Sequence, residues 1–98
     1  MHDPKNFAVY VMSNRFRGVL YVGVTSDLPG RVYRRREGVL PGFTRDWGLK
    51  RLVWYESHGC AEGAITREKR IKRWRRQWKF ELIEAQNPDW DDLYDRLV

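Results

Sequence analysis

Two short segments rich in β-branched and aromatic residues lie close together near the start of the chain and constrain the fold more than any other feature. Residues 7–12 read FAVYVM and residues 19–25 read VLYVGVT, and the polar, glycine-containing segment 13–18 separates them. Two such segments around a short turn are typical of an antiparallel β-hairpin. A symmetric turn would set Tyr10 directly opposite Tyr21, with both phenols on one face of the sheet.

Gly23 belongs to the same predicted face as Tyr21, two residues further along the strand. A glycine inside a strand often marks the close approach of a ligand or of another backbone. The two tyrosines have two interpretations at this point. They are either an ordinary cross-strand aromatic pair that stabilises the sheet or part of a functional site.

A helix is predicted to follow the second strand. Ser26 or Asp27 can cap its start, and Pro29 is acceptable only in a first turn. The helix is expected to end at Gly38. It places Arg31 near the C-terminal end of the second strand, close to the tyrosine face.

The remaining segments alternate between loop, strand and helix signals. They predict, in order, a loop over 39–46 with one helical turn at 44–47, a third strand over 49–56, a break over 57–60, a long helix from Ala61 to about Trp74, continued helical character over 80–84, and a turn with a short helix over 87–94. His58, in the break, is interpreted as a lone surface histidine. Trp90 and Leu93 are expected to pack inward.

The composition indicates one small globular domain over residues 1–98. Hydrophobic residues make up 42% of the 98 residues and aromatic residues 14%, which is too apolar for a disordered chain. No apolar segment approaches the ~20 residues of a membrane span, and the first residues do not have the pattern of a signal peptide. The single cysteine, Cys60, excludes an internal disulfide and a zinc site of several thiolates, and it favours a reducing, cytoplasmic compartment.

The charges are segregated along the chain, whose net charge is +6. Residues 67–79 contain eight Lys and Arg and one acid, a net of +7, whereas residues 80–98 have a net of −5. A second basic cluster contains Arg31, Arg34, Arg35 and Arg36. Basic clusters with interleaved aromatic residues favour a surface that binds a polyanion such as nucleic acid. The alternative is a basic helix that is simply a solvated face.

One acidic residue interrupts the apolar side of the long predicted helix. Glu68 lies four residues after Ala64 and three before Ile71, in a stripe that also includes Ala61 and Ile65. A carboxylate that points inward needs a partner, because burying an unpaired charge costs several kcal/mol. Two kinds of partner would satisfy this carboxylate: a buried arginine such as Arg31, or a metal ion. Mg²⁺ is held by one or two carboxylates and keeps several waters.

The order and spacing of these motifs resemble the GIY-YIG nuclease superfamily. The matching residues are Val9-Tyr10, Tyr21-Val22-Gly23 eleven residues later, Asp27-Leu28-x-x-Arg31, and Arg67-Glu68 followed by Ile71-Lys72. The C-terminal pattern from Trp74 to Tyr94 is similar to the small standalone bacterial branch that carries an excinuclease-C-type endonuclease domain. The resemblance covers about residues 6–95.

The resemblance implies an α+β fold, with a three-stranded antiparallel sheet flanked by helices, and phosphodiester cleavage that depends on a divalent metal. Tyr10, Tyr21 and Arg31 match catalytic positions of the family, and Glu68 matches its metal-binding glutamate, with Mg²⁺ or Mn²⁺ as the metal. Where the family often has a histidine that helps to activate the nucleophile, this chain has Arg35. An arginine can hold a phosphate but cannot take a proton at neutral pH.

The function expected from these observations is a metal-dependent endonuclease that acts on DNA, or on a branched or single-stranded derivative, in repair or processing. A tyrosine would deprotonate the attacking water once a cation lowers its pKa from about 10, Arg31 would stabilise charge on the phosphate, and one metal on Glu68 would polarise it. The residues expected to contact the substrate are Gly23, Arg35, Lys72, Arg73 and Arg76. The alternative is a nucleic-acid-binding module of the same fold with little or no cleavage, and a protein-interaction domain comes third.

Overall fold

The computed structural model describes residues 6–38 and 48–97. The predicted loop over 39–46 and the predicted helical turn at 44–47 lie outside the described residues. In chain order the elements are β1 (Phe7–Ser13), β2 (Leu20–Thr25), α1 (Leu28–Arg36), β3 (Arg51–His58), α2 (Ala61–Arg73), α3 (Arg76–Gln86) and a 3-10 helix (Leu93–Arg96). None of the helices within these ranges is long and apolar enough to cross a membrane.

β1 is the central strand of a three-stranded sheet with the order β2-β1-β3, and both of its pairings are antiparallel. Tyr10 and Met12 lie on one face, in a core shared with α1 and the 3-10 helix. Val9 and Val11 lie on the other face, in a core shared with α2 and α3. The predicted fold, a three-stranded antiparallel sheet flanked by helices, is confirmed.

The β1–β2 turn is two residues longer than the symmetric turn predicted from the sequence. The side-chain oxygen of Asn14 accepts a hydrogen bond from the Val19 backbone N–H at 2.9 Å, so Val19 belongs to the turn and β2 begins at Leu20. Tyr10 is therefore paired with Gly23, and Tyr21 is paired with Met12. The prediction that the two tyrosines oppose each other directly was wrong, but the shift of two residues keeps both on the same face.

The third strand begins and ends two residues later than predicted. β3 continues through His58, which pairs with Phe7 of β1. The His58 Nε2 atom lies 2.8 Å from a carboxylate oxygen of Glu56. His58 is therefore part of the sheet and not of a break. The pairing with β1 slips by one residue between Val11 and Met12. This β-bulge lets consecutive residues of β3, Val53 and Trp54, both join the core under α2 and α3.

The short helix α1 has the predicted boundaries. The Asp27 side chain accepts a hydrogen bond from the Gly30 backbone N–H, and Pro29 lies in the first turn. Gly38 follows the helix with a φ of 69°, a left-handed conformation that glycine adopts without strain. The sequence signals at both ends of α1 are local, and they predicted the helix correctly.

The basic segment forms two helices, because Trp74 and Arg75 have extended backbone conformations with ψ of 150° and 155°. The predicted inward stripe of α2 is confirmed at Ala64 and Ile71, which are fully buried. The prediction for Ile65 was wrong, since 42% of this residue is exposed. Ile65 is rotated about 100° from Ala64 around the helix axis, toward the edge of the sheet at β2.

Glu84 of α3 holds the β1–β2 turn against the helical layer. Arg17 donates to both carboxylate oxygens, at 2.8 and 2.7 Å, and the Trp90 indole N–H donates at 2.8 Å. Arg17 has a φ of 51°, which is strained for a residue with a side chain. The Arg17 hydrogen bonds, with a smaller contribution from Trp90, lower the pKa of the Glu84 carboxyl from 4.5 to about 2.

The first prediction concerns Gly23, whose missing side chain leaves the space that the Tyr10 ring occupies. A Cβ at Gly23 would lie 2.6 Å from both Cζ and Oη of Tyr10, and Tyr10 is fully buried and has little room to move. We expect Gly23→Ala to destabilise the protein by about 1–3 kcal/mol, as overpacking of a core does. This should lower the melting temperature by about 4–8 °C per kcal/mol. Gly59→Ala is the control, because a Cβ there meets nothing within 4 Å. Equal melting temperatures for the two variants would contradict this packing.

The second prediction concerns acid stability. The folded-state pKa of Glu84 is lowered, so its contribution to stability is present above the unfolded-state pKa of 4.5 and is lost as the pH falls toward 2. We expect Glu84→Gln to melt several degrees below the wild type at pH 7, with the difference shrinking between pH 4.5 and 2. The effect is modest because Arg17 is half exposed and screened by water. The matched control is Glu81→Gln, an exposed position of the same helix, and a pH-independent difference for Glu84→Gln would contradict the assignment.

Candidate active site

The two tyrosines of the hairpin form a tilted aromatic pair on the α1 face of the sheet. Their ring centroids lie 6.2 Å apart with an interplanar angle of 43°. Tyr10 is fully buried in the central strand, whereas Tyr21, on the edge strand β2, is half-buried. The pair lies diagonally across the ladder, because Tyr10 is paired with Gly23 and Tyr21 is paired with Met12. Of the two side chains, that of Tyr21 is therefore the more exposed.

Arg35 of α1 covers the Tyr21 side chain. Its guanidinium carbon lies 4.5 Å from the Tyr21 ring centroid, and its Nη2 donates a hydrogen bond to the Tyr21 hydroxyl at 2.9 Å. A guanidinium can only donate, so the Tyr21 oxygen accepts this bond and its own proton points elsewhere. The sequence predicts that Arg35 holds a phosphate, and the contact of Arg35 with Tyr21 was not predicted. The signal was the spacing of four residues between Arg31 and Arg35, which sets both on one side of α1.

Burial raises the pKa of the Tyr10 phenol, and the nearby charges of Arg35 and Arg31 oppose this effect without cancelling it. The neutral form of Tyr10 is therefore favoured well beyond neutral pH. Tyr10 is the buried tyrosine of the pair, and Tyr21 is the more exposed one.

Arg31 lies at the edge of the sheet, where α1 and α2 approach each other across β2. It lines a groove of about 230 Å³ with Val24 of β2 and with Ala61 and Ile65 of α2. The predicted placement of Arg31 near the end of the second strand, close to the tyrosine face, is confirmed. The groove is open along the edge strand, since β2 is the outer strand of the sheet on this side.

Glu68 lies on the same side of α2 as Ala61 and Ile65, since residues three and seven positions apart share one side of a helix. Its side chain is only 13% exposed, and its carboxylate lies 3.2 Å from the Lys72 ammonium, one turn later. The sequence left two partners open, Arg31 or a metal, and the contact that the structure shows is with Lys72. Glu68 belongs to the helical layer on the face opposite to the tyrosines, so the two sets of groups approach each other only around the edge of β2.

The donor set at this edge fits a hydrated divalent cation and not a cage made entirely of protein ligands. Within the described ranges, no group of three or more His, Cys, Asp and Glu side chains is close enough to hold a metal. Mg²⁺ binds through one or two carboxylates and completes its shell with water and substrate phosphates. The shielded carboxylate of Glu68 has this chemistry.

The remaining predicted substrate contacts are distributed over α2 and α3. Lys72 and Arg73 are exposed at the C-terminal end of α2, and Lys72 adjoins Glu68. Arg76 of α3 instead donates to the backbone carbonyl oxygens of Arg17 and Gly18, at 3.0 and 2.6 Å. Arg76 thus stabilises the β1–β2 turn, at the opposite end of β2 from Arg31.

Comparison with known proteins identifies the family to which this fold belongs. The family model described as the GIY-YIG catalytic domain matches residues 6–81. UPF0213 proteins of two Staphylococcus epidermidis strains are 31% identical over 80 residues, which covers 82% of this chain and 95% of theirs. The solution NMR structure of a UPF0213 protein from Bacillus halodurans is similar with a TM-score of 0.56 and 26% identity, covering 89% of this chain and 92% of that one. The chain therefore belongs to the GIY-YIG family.

Proposed function

We propose that this protein is a divalent-metal-dependent endonuclease that hydrolyses phosphodiester bonds in DNA. The GIY-YIG family is a nuclease family, which implies a nucleic-acid substrate. The observation that carries the proposal is the hydrogen bond that the Tyr21 hydroxyl accepts from Arg35, one helical turn from Arg31, which lines the groove at the edge of β2. A nucleophile-activating oxygen next to two fixed cations suits a reaction that builds negative charge on a phosphate.

Glu68 would hold Mg²⁺ or Mn²⁺, together with phosphate oxygens of the substrate. The bound ion would supply charge that polarises the phosphate and stabilises the leaving oxygen. Lys72 pairs with Glu68 in the free protein and has a side chain that is 51% exposed. Because its ammonium end is half exposed and screened by water, this pair contributes little stability, so Lys72 is free to turn toward a phosphate when the carboxylate takes another partner.

The other steps of the proposed reaction are assigned to protein side chains. Tyr21, as a tyrosinate with Arg35 beside its oxygen, would take the proton of the water that attacks phosphorus. Arg31 would bind the non-bridging oxygens, where charge develops. Tyr10 would hold the Tyr21 ring and Arg35 in position, and Gly23 leaves room for the Tyr10 ring.

The alternative is a nucleic-acid-binding module of the same fold with little cleavage activity. Arg35 favours it, because this residue occupies the position at which family members often have a histidine and cannot take a proton. The basic segment 67–79 supports binding under both hypotheses. Binding that weakens steeply with salt, without cleavage in Mg²⁺ or Mn²⁺, would favour the alternative.

The third prediction concerns the metal. Plasmid DNA and branched oligonucleotides should be cleaved in Mg²⁺ or Mn²⁺ and left intact in EDTA. We expect Glu68→Gln to reduce cleavage to the level of the EDTA control, because the substitution removes the negative charge that binds the cation and keeps the side-chain size. DNA affinity and melting temperature should change little, since the Glu68–Lys72 pair is worth only about 0.3–0.5 kcal/mol. Glu62→Gln, at an exposed position of the same helix, is the control. A Glu68→Gln variant that cleaves normally would remove Glu68 from the mechanism.

The fourth prediction separates the two tyrosines. Tyr21→Phe should lower the cleavage rate by about 10²- to 10⁴-fold, the usual contribution of a general base. Tyr10→Phe should keep most of the activity and melt at the same or a higher temperature, because it removes a hydroxyl that is costly to bury. Cleavage rates and melting curves measured on both variants test this assignment. Equal losses of activity would mean that Tyr10 takes part in the proton transfer as well.

A further inference from the structure

The junction between α2 and α3 presents two tryptophans side by side. The extended backbone of Trp74 and Arg75 separates the helices and sets Trp74 next to Trp78, with ring centroids 6.3 Å apart and an interplanar angle of 81°. Together with Glu81 and Leu82 they line a groove of about 410 Å³. We call these four residues the tryptophan shelf.

Core packing does not account for Trp78. Trp74 packs against the core under α2 and α3, but Trp78 is 46% exposed. Exposing a large aromatic side chain forgoes the favourable free energy of burying it, about 25 cal/mol for each Å² of apolar surface. The fold therefore leaves an aromatic surface of Trp78 available to a ligand.

Cations surround the shelf. The Arg75 guanidinium lies 4.8 Å from the centroid of the Trp78 ring, and the Arg67 guanidinium lies 5.4 Å from the centroid of the Trp74 ring. Both arginines belong to the segment 67–79, which has a net charge of +7. Exposed aromatic rings beside a basic track are the combination with which proteins bind single-stranded nucleic acid, through stacked bases and a neutralised backbone.

Glu81 determines which part of a nucleic acid the shelf accepts. A carboxylate at the groove disfavours a phosphate, so the phosphates must follow the arginines of α2 and of the junction while a base occupies the groove. A carboxylate can also accept a hydrogen bond from the exocyclic amino group of a base. In a duplex the faces of the bases are already stacked on each other, so only an unpaired base has a free face to place on Trp78.

The shelf lies on the opposite flank of α2 from the candidate active site. Arg67 donates to Glu56 of β3, whereas the side of α2 that carries Glu68 faces the groove at β2. Trp74 is six residues after Glu68, a distance of about 9 Å along the helix axis. A strand that leaves the groove at β2 would pass the exposed Lys72 and Arg73 before it reaches the shelf.

We propose that the tryptophan shelf binds an unpaired base of a single-stranded segment that adjoins the DNA held at the edge of β2. The inference rests on the proposed function and extends it, because it assigns the substrate to junctions between duplex and single-stranded DNA. The shelf supplies base stacking, and the basic end of α2 supplies the contacts to the connecting phosphates.

The test is the affinity of the protein for labelled oligonucleotides, measured by fluorescence anisotropy in EDTA. The probes are a single strand of mixed sequence, the same strand with abasic sites in place of its bases, the matching duplex, and a duplex with a single-stranded extension. Trp78→Ala should weaken binding to the single strand and to the extended duplex by about tenfold or more, the effect expected from one lost base–aromatic stack. Binding to the plain duplex and to the abasic strand should stay within about twofold of the wild type, because their phosphate contacts are unchanged.

Two further variants make the result specific. Trp78→Phe keeps an aromatic face and should retain most of the affinity for the single strand. Tyr33→Ala removes an aromatic side chain of α1 that is 53% exposed and should change no affinity. Melting curves of all variants check that the fold is intact.

The outcomes separate this inference from the proposed function. If Trp78→Ala leaves the affinity for the single strand unchanged, or lowers the affinity for all four probes equally, the proposal that the shelf binds a base is wrong, even if the wild type cleaves DNA. If Trp78→Ala selectively loses affinity for the single strand but the wild type cleaves no DNA, base binding by the shelf is supported and the proposed endonuclease activity is refuted. If the wild type binds the abasic strand as tightly as the normal strand, the proposal that the shelf binds a base is also wrong, and the exposed aromatic surface would favour a protein partner instead.

Discussion

The central strand β1 determines how everything else is placed, because it pairs on both sides and is covered on both faces. Its backbone groups are satisfied by β2 and β3, and its alternating side chains divide the core into two parts. Tyr10 and Met12 anchor the part under α1, whereas Val9 and Val11 anchor the part under α2 and α3. Because these helices cover opposite faces, α1 and α2 approach each other around the outer edge of β2, where Arg31 lines a groove with residues of α2.

The contact between Tyr10 and Gly23 connects this packing to the proposed chemistry. The Tyr10 phenol occupies the space above Gly23, and burial keeps that phenol neutral. The Tyr10 ring also packs against the Tyr21 ring, over which the Arg35 guanidinium lies. The buried tyrosine thus supports the side chain to which the proposed function assigns the proton transfer.

Helix α2 contributes to two different surfaces because its polar residues lie on two different sides of the helix. The flank of Glu68 faces β2 and the groove, while the flank of Arg67 faces β3 and leads to the two tryptophans. The break at Trp74 and Arg75 ends this helix and turns Trp78 outward. The basic segment, which is uniform in the sequence, is divided by the fold between the flank of Glu68 and the flank that leads to the tryptophan shelf.

The sequence alone determined the features that depend on short stretches of chain: the three strands, the caps of α1, the inward positions of Ala64 and Ile71, and the shared face of Tyr10 and Tyr21. These follow from local periodicity and capping, which act over a few residues. The resemblance to the nuclease superfamily added the candidate site residues through their order and spacing. Tertiary structure alone decided the strand register, the exposure of Ile65 and Trp78, and the contact of Arg35 with Tyr21. The physical reason is that each of these depends on a partner distant in the sequence or on a turn of particular length: the side chain of Asn14 lengthens the hairpin turn, and the open edge of β2 leaves Ile65 uncovered.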